Sequence, residues 1–150
     1  MVTLASIIAY DPEVLLLDEP TANLSSGTIK EIKQVIEDSR NRNRAVVIAS
    51  HDVEFVAEVS DRVYIINNGS TWGGFDAKSV LSDESLLALA DMRLPLVLQT
   101  LRLLKPKLRN YPITIKDLKE ATDSATYEDQ NLERLMTKKL LRKPSPQPHG

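Results

Sequence analysis

The sequence contains no cysteine. That excludes disulfides, iron–sulfur ligation and thiol catalysis, and it suits a reducing compartment. Long apolar runs are missing too. The longest uninterrupted stretches, such as Val14–Leu17 and Ala45–Ala49, fall far short of the roughly 20 residues that a membrane-spanning helix requires. Neither sign of charge is in excess. Nineteen Lys and Arg stand against twenty-one Asp and Glu, a formal net charge of -2, which lacks the electrostatic footprint of a nucleic-acid binder. Met1 is followed by Val-Thr-Leu-Ala-Ser with no basic stretch, so no signal peptide is expected. What remains is a 150-residue chain, 42% hydrophobic and 27% charged, with enough length for a real core. The expected location is the cytoplasm, with any membrane link running through a partner.

The first half reads as alternating strands and helices. Leu4, Ile7 and Ile8 recur at helical spacing, and Asp11-Pro12 ends that helix because a residue before proline avoids the right-handed region. Val14–Leu17 is a short continuous apolar run, the pattern of a strand buried on both faces. Ser25-Ser26-Gly27 opens a helix with Ile29, Ile32, Val35 and Ile36 on one face, and Thr28 and Glu31 stand at capping-box spacing. The polar stretch Ser39–Arg44 closes it. Ala45–Ala49 predicts a second buried strand, and Asp52 caps a helix with Val53, Val56 and Val59 inward. Val63–Ile66 predicts a third strand, closed by an Asn67-Asn68-Gly69 turn. Strand, helix, strand, helix, strand implies an α/β fold with a mostly parallel sheet.

Beyond about residue 75 the pattern becomes helical. Ala77–Leu81, Asp83–Asp91, Leu96–Leu104, Ile115–Ala121 and Tyr127–Leu141 read as short helices separated by Pro95, Pro106 and Pro112. Thr114 with Asp117 supplies a cap for the fourth. Residues 143–150 are rich in proline and predict a disordered tail. The expected organisation is therefore a core over 1–75, a helical extension over 76–142 and a tail over 143–150.

Two polar groups stand at strand ends. Val14-Leu-Leu-Leu runs into Asp18-Glu19-Pro20-Thr21, and Ala45–Ala49 runs into Ser50-His51-Asp52. Open α/β sheets bind ligands where strands end at the rim. Asp18 can hold Mg²⁺ through water, since that ion prefers hard oxygen and keeps part of its hydration shell. Glu19 can orient and polarise the attacking water of a phosphoryl transfer, and His51 can contact the γ-phosphate. Solvated acids at a strand end, or a histidine bonded to its own turn, would present the same letters. Their placement on two strands with one crossover helix between them favours a shared site.

Together these residues resemble a known family. Leu15-Leu-Leu-Asp18-Glu19-Pro20-Thr21 is similar to the Walker B segment of ATP-binding-cassette (ABC) ATPases, and Ser50-His51-Asp52 to their switch histidine. Residues Thr3–Asp11 look like the helix after the family's signature sequence, and Asp61-Arg62-Val63-Tyr64 with Asn68-Gly69 like its closing strand and turn. The resemblance implies part of a P-loop NTPase fold. It also implies ATP and Mg²⁺ as ligands, catalytic roles for Glu19 and His51, and Asp18 as the metal-side carboxylate. Leu94-Pro95-Leu96-Val97 with Leu101, then Pro112-Ile113-Thr114-Ile115 with Leu118, are similar to the C-terminal extension of energy-coupling-factor ATPases. That subfamily implies a homo- or heterodimer of ATPase subunits attached to an integral membrane transporter component at the inner face of the membrane, with no nucleic-acid partner.

The chain departs from the family at two places. After the Walker B segment it reads Ala22-Asn23-Leu24-Ser25-Ser26, so Ser25 occupies the position where the family has an aspartate contacting the partner subunit. Its five glycines are Gly27, Gly69, Gly73, Gly74 and Gly150, and none precedes a lysine. The Gly-x-x-x-x-Gly-Lys-Ser/Thr loop that wraps phosphates is therefore absent, with the glutamine loop and the signature sequence. The expectation is an ATPase component that does not hydrolyse ATP alone; the alternative is an inactive dimerisation or regulatory remnant. A bare sheet edge further predicts marginal stability or self-pairing.

Overall fold

The computed structural model describes residues 10–106 and 110–124. The expected helix over Leu4–Ile8, the helix over Tyr127–Leu141 and the tail over 143–150 lie outside them. The elements are β1 (Val14–Asp18), α1 (Ser26–Asn41), β2 (Ala45–Ala49), α2 (Val53–Val59), β3 (Arg62–Asn67), β4 (Ser70–Asp76), α3 (Ala77–Leu81), α4 (Glu84–Leu89) and α5 (Leu96–Leu104). A last helix covers 115–124.

β1 and β2 pair in parallel, with Val14 opposite Ala45 and Asp18 opposite Ala49. A parallel pair needs a crossover, and α1 supplies it. The helix starts where the serines predict, but its cap is Ser25, whose side chain accepts from the Thr28 amide at 3.4 Å. Ile32 and Ile36 of α1 are buried with Phe55 and Val59 of α2, against Leu17, Val46 and Ile48 of the strands. Asp52 caps α2 by accepting from the Phe55 amide at 3.0 Å. Phe55, not Val53, is the residue that α2 turns into this core. Val53 and Val56 pack instead on a second core.

That second core corrects the expected sheet. β3 does not join β1 and β2; it pairs antiparallel with β4, a strand not anticipated from the sequence. Asn68 and Gly69 both have positive φ, 47° and 74°, which suits the two-residue turn whose twist matches a hairpin. β4 reads Ser-Thr-Trp-Gly-Gly-Phe-Asp, and its glycines hide it from a periodicity argument. Gly73 is required there: at φ 114° a Cβ would meet the Val63 carbonyl oxygen at 2.5 Å. On the hairpin's inner face Val63 and Ile65 are buried with Val80, Leu81, Leu87, Leu98 and Ile113. Asp76 and Asp83 cap α3 and α4. Thr114 and Asp117 cap the last helix reciprocally, as their spacing predicts, with N–H to side-chain distances of 3.0 and 3.2 Å.

The described residues are thus α/β, with one parallel and one antiparallel pair and helices appended after the hairpin. The expectation that β1 and β2 are buried on both faces does not hold. Helices α1 and α2 cover only one face; on the other, Leu16 is 72% exposed and Val14 and Val47 are about half exposed. Substitution discriminates the two environments. Leu98, fully buried, should lose roughly 2–5 kcal/mol on replacement by Ala. Leu16→Ala should change urea-unfolding stability by no more than about 0.5 kcal/mol. A large, concentration-dependent loss for Leu16→Ala would show that this face is covered by self-association in solution.

Candidate functional site

The parallel register places the ends of β1 and β2 level with each other. The ladder runs one step beyond Asp18: the Glu19 amide donates to the Ala49 carbonyl at 2.8 Å. The chain then turns sharply. Pro20 excludes the right-handed region for Glu19, and Glu19 adopts a left-handed conformation with φ 43°. Its carbonyl accepts from the Ala22 amide at 3.1 Å, closing a turn around Pro20-Thr21. On the neighbouring strand, Ser50 and His51 occupy the short link between β2 and the Asp52 cap of α2.

This geometry brings Glu19 and His51 together. Glu19 Oε1 accepts from the His51 backbone N–H at 3.1 Å and lies 2.7 Å from His51 Nδ1. Glu19 Oε2 accepts from Ser50 Oγ at 3.3 Å. A carboxylate offers about four acceptor directions, so roughly one remains free for a water or ligand. The hydrogen bond with the His51 ring holds the Glu19 carboxyl below the ordinary carboxylate range, opposed by partial desolvation. The same bond, reinforced by the charge of Glu19, raises the imidazole above its ordinary value. When the ring is protonated, Nδ1–H donates to Glu19 and Nε2–H is left for an outside acceptor. The ring is open to such a group, its side chain being 82% exposed.

Asp18 ends β1 on the side of the sheet that carries Val14 and Leu16, and it is exposed. Among the described residues its carboxylate has no hydrogen-bond or ion-pair partner, and no group of three or more ligating side chains exists. Mg²⁺ is commonly bound by one or two carboxylates, with waters and substrate phosphates completing the shell. A single unpaired hard-oxygen donor at the strand end fits that requirement. Ser25 is placed differently. It caps α1 and lies 3.1 Å from Thr28 Oγ1, with no hydrogen bond to the Glu19–His51 pair.

Three further residues take part: Thr21 and Ser50, to which the sequence reading gave no role of their own, and Asp52, which it read only as a helix cap. Thr21 Oγ1 donates to Asp52 Oδ2 at 3.3 Å, and Ser50 Oγ accepts from the Asp52 amide at 3.1 Å. All three carry short polar side chains just past a strand end, a local signal that does not say which of them meet.

The two pKa shifts set a pH window. The lowered Glu19 contributes stability above the ordinary carboxylate range, and that contribution is lost as pH falls through its lowered value. The raised His51 contributes below the ordinary imidazole value and loses that contribution as pH rises through its raised value. The pair is strongest between those limits, and its solvent exposure keeps the contribution small. An NMR titration should therefore find His51 titrating above an ordinary histidine, with Glu19→Gln moving it back down. An unchanged His51 titration in that variant would show that the pair does not persist in solution.

No protein-family model matches the chain. Individual proteins do. The energy-coupling factor transporter ATP-binding protein of Methanocaldococcus jannaschii is 35% identical over 112 residues, covering 75% of this chain and 40% of its own length. Its counterpart in Mycoplasma pneumoniae is 36% identical over 101 residues, covering 67% of this chain and 33% of its own. The chain thus spans 33–40% of the length of these two curated relatives. Among solved structures, a metal-chelate-type ABC transporter in an inward-facing conformation is 26% identical with a TM-score of 0.52, covering 57% of this chain and 34% of that one. By sequence and by fold, the chain is similar to part of the ATP-binding proteins of ABC transporters, the energy-coupling-factor ATPases among them.

Proposed function

We propose that this chain is the C-terminal part of an ATP-hydrolysing subunit of an ABC-type membrane transporter, of the energy-coupling-factor kind. One observation carries the reading: the Glu19 carboxylate and the His51 imidazole meet at the ends of two paired parallel strands, one residue beyond the unpaired Asp18. In this reading Glu19 orients the attacking water through its remaining acceptor direction, which is general-base work. His51 holds Glu19 through Nδ1 and offers Nε2 to the γ-phosphate. Asp18 would hold Mg²⁺ through water, and the ion when bound would neutralise phosphate charge. Ser25 takes the position that faces a second ATPase subunit, a hydroxyl where the family has a carboxylate. Residues 1–75 then form the C-terminal half of the ATPase core and 76–142 an appended helical extension. The subunit works at the inner face of the membrane through an integral membrane component.

The 150 residues hold no glycine-rich, lysine-bearing phosphate loop. The cradle for the triphosphate must therefore come from other polypeptide. Among the described residues no helix is long and apolar enough to cross a membrane, so on this reading the transport path also lies in a partner.

Reconstitution tests the assignment. Combined with a polypeptide that carries the phosphate loop of a relative, the chain should show Mg²⁺-dependent ATP hydrolysis. Glu19→Gln should lower turnover by roughly 10²–10⁴-fold while ATP binding persists. The 150-residue chain alone should show no hydrolysis. Turnover that survives Glu19→Gln would remove Glu19 from the chemistry, and hydrolysis by the chain alone would overturn the need for an outside cradle.

A further inference from the structure

Thr21 is one of two buried polar residues among the described residues. The other, Thr114, is accounted for by its reciprocal cap with Asp117. Thr21 has no such local duty. Its hydroxyl reaches across to a residue 31 positions away, donating to Asp52 Oδ2 at 3.3 Å. Asp52 uses its other oxygen, Oδ1, to cap α2 through the Phe55 amide at 3.0 Å. Its own amide donates to Ser50 Oγ at 3.1 Å, and Ser50 Oγ donates on to Glu19 Oε2 at 3.3 Å. The hydrogen bonds therefore close a ring. The loop after β1 enters it at Glu19 and Thr21, and the turn after β2 enters it at Ser50 and Asp52.

Beyond the Glu19–Ala49 bond, no backbone-to-backbone hydrogen bond among the described residues joins these two loops. Side chains alone hold them together past that point. Two of those links, from Glu19 to the Ser50 hydroxyl and to His51, belong to the site itself. Thr21–Asp52 is the link that does not involve Glu19. We propose that Thr21 is a positioning residue: its buried hydroxyl, bonded to Asp52, locks the loop after β1 onto the first turn of α2 and so holds Glu19 against His51. Without it, Asp52 Oδ2 loses its partner and the left-handed Glu19 is free to relax, carrying the carboxylate away from the ring. The role rests on the ATPase reading for its purpose, but the geometry can be read without nucleotide.

NMR of the labelled 150-residue chain, free of nucleotide, tests this. The wild type should show the hydrogen-bonded Nδ1 signal of His51 and close approach between its ring and the Glu19 methylenes. Thr21→Val should lose both while the Phe55 amide and the Ile36 methyls keep their positions, showing that cap and core are intact. Thr21→Ser should retain both, because the hydroxyl is restored. Thr21→Ala carries the same expectation as the valine variant and serves if that one does not fold. Wild-type His51 signals in either hydroxyl-free variant, or their complete loss in Thr21→Ser, would overturn the positioning role. The measurement involves no hydrolysis, so it reads the clamp separately from the ATPase activity.

Discussion

The parallel ladder between β1 and β2 is the constraint from which the site follows. Its register sets Asp18 opposite Ala49, and its last rung joins the Glu19 amide to the Ala49 carbonyl. A shift of one residue would exchange the two faces of the pair, turning Leu15 and Leu17 outward and withdrawing Asp18 from the rim. The buried residues on one face make that shift costly: Leu15 is nearly inaccessible, and Leu17, Val46 and Ile48 pack onto Ile32, Ile36 and Phe55. Core packing thus fixes the register, and the register fixes which polar groups meet. Glu19 is left in a left-handed conformation that typically costs about 1–3 kcal/mol for a non-glycine residue. Such strain persists only where surrounding bonds over-determine it, and here five hydrogen bonds from Ala49, Ala22, Ser50 and His51 act on that one residue.

Helix α2 ties this rim to the rest of the molecule. It begins at the Asp52 cap, one residue after His51, and it is shared between both cores. Phe55 and Val59 face the β1–β2 core, while Val53, Val56 and Ala57 face the core beneath the hairpin. Glu54 accepts from the Leu96 amide at 2.6 Å, at the start of α5, where Pro95 offers no side-chain cap. Glu58 pairs with Lys33 of α1. A seven-residue helix would be marginal by itself. Wedged between two cores and bonded at both flanks, it gives His51 a fixed base.

The sequence made the local elements readable because their signals are local. Apolar runs marked β1 and β2, the periodicity of Ile29, Ile32 and Ile36 marked α1, and Asp52 and Thr114–Asp117 announced caps that the structure contains. The meeting of Glu19 with His51 could be anticipated because both stand just past strand ends. What stayed hidden depends on distant partners. β4 carries two glycines and a bulge opposite Val63 and Tyr64, so its alternation is broken. β3 was expected in the parallel sheet but pairs antiparallel with β4, because strand order is not written in hydrophobic pattern. Val53 and Phe55 are both apolar, and only the position of the second core decides which way each points. Thr21 and Asp52 meet across 31 residues, and no spacing rule marks such a pair.

Alternation along the strands also decides from which side a ligand must come. Asp18 shares its face with Val14 and Leu16, and the paired residues Ala45, Val47 and Ala49 continue that face. Helices α1 and α2 lie on the opposite side. In the proposed reading, Asp18 would hold a metal–phosphate group from the side of the sheet left bare by the helices. Parallel strands are ordinarily covered on both faces, and each large aliphatic side chain here, already partly covered, stands to gain a part of the roughly 1.5–3 kcal/mol that full burial of an exposed one brings. Whatever polypeptide covers Val14, Leu16 and Val47 thus lies beside the carboxylate as well. On this reading, covering the sheet and completing the phosphate site are the same event, because one face of a two-stranded ladder serves both.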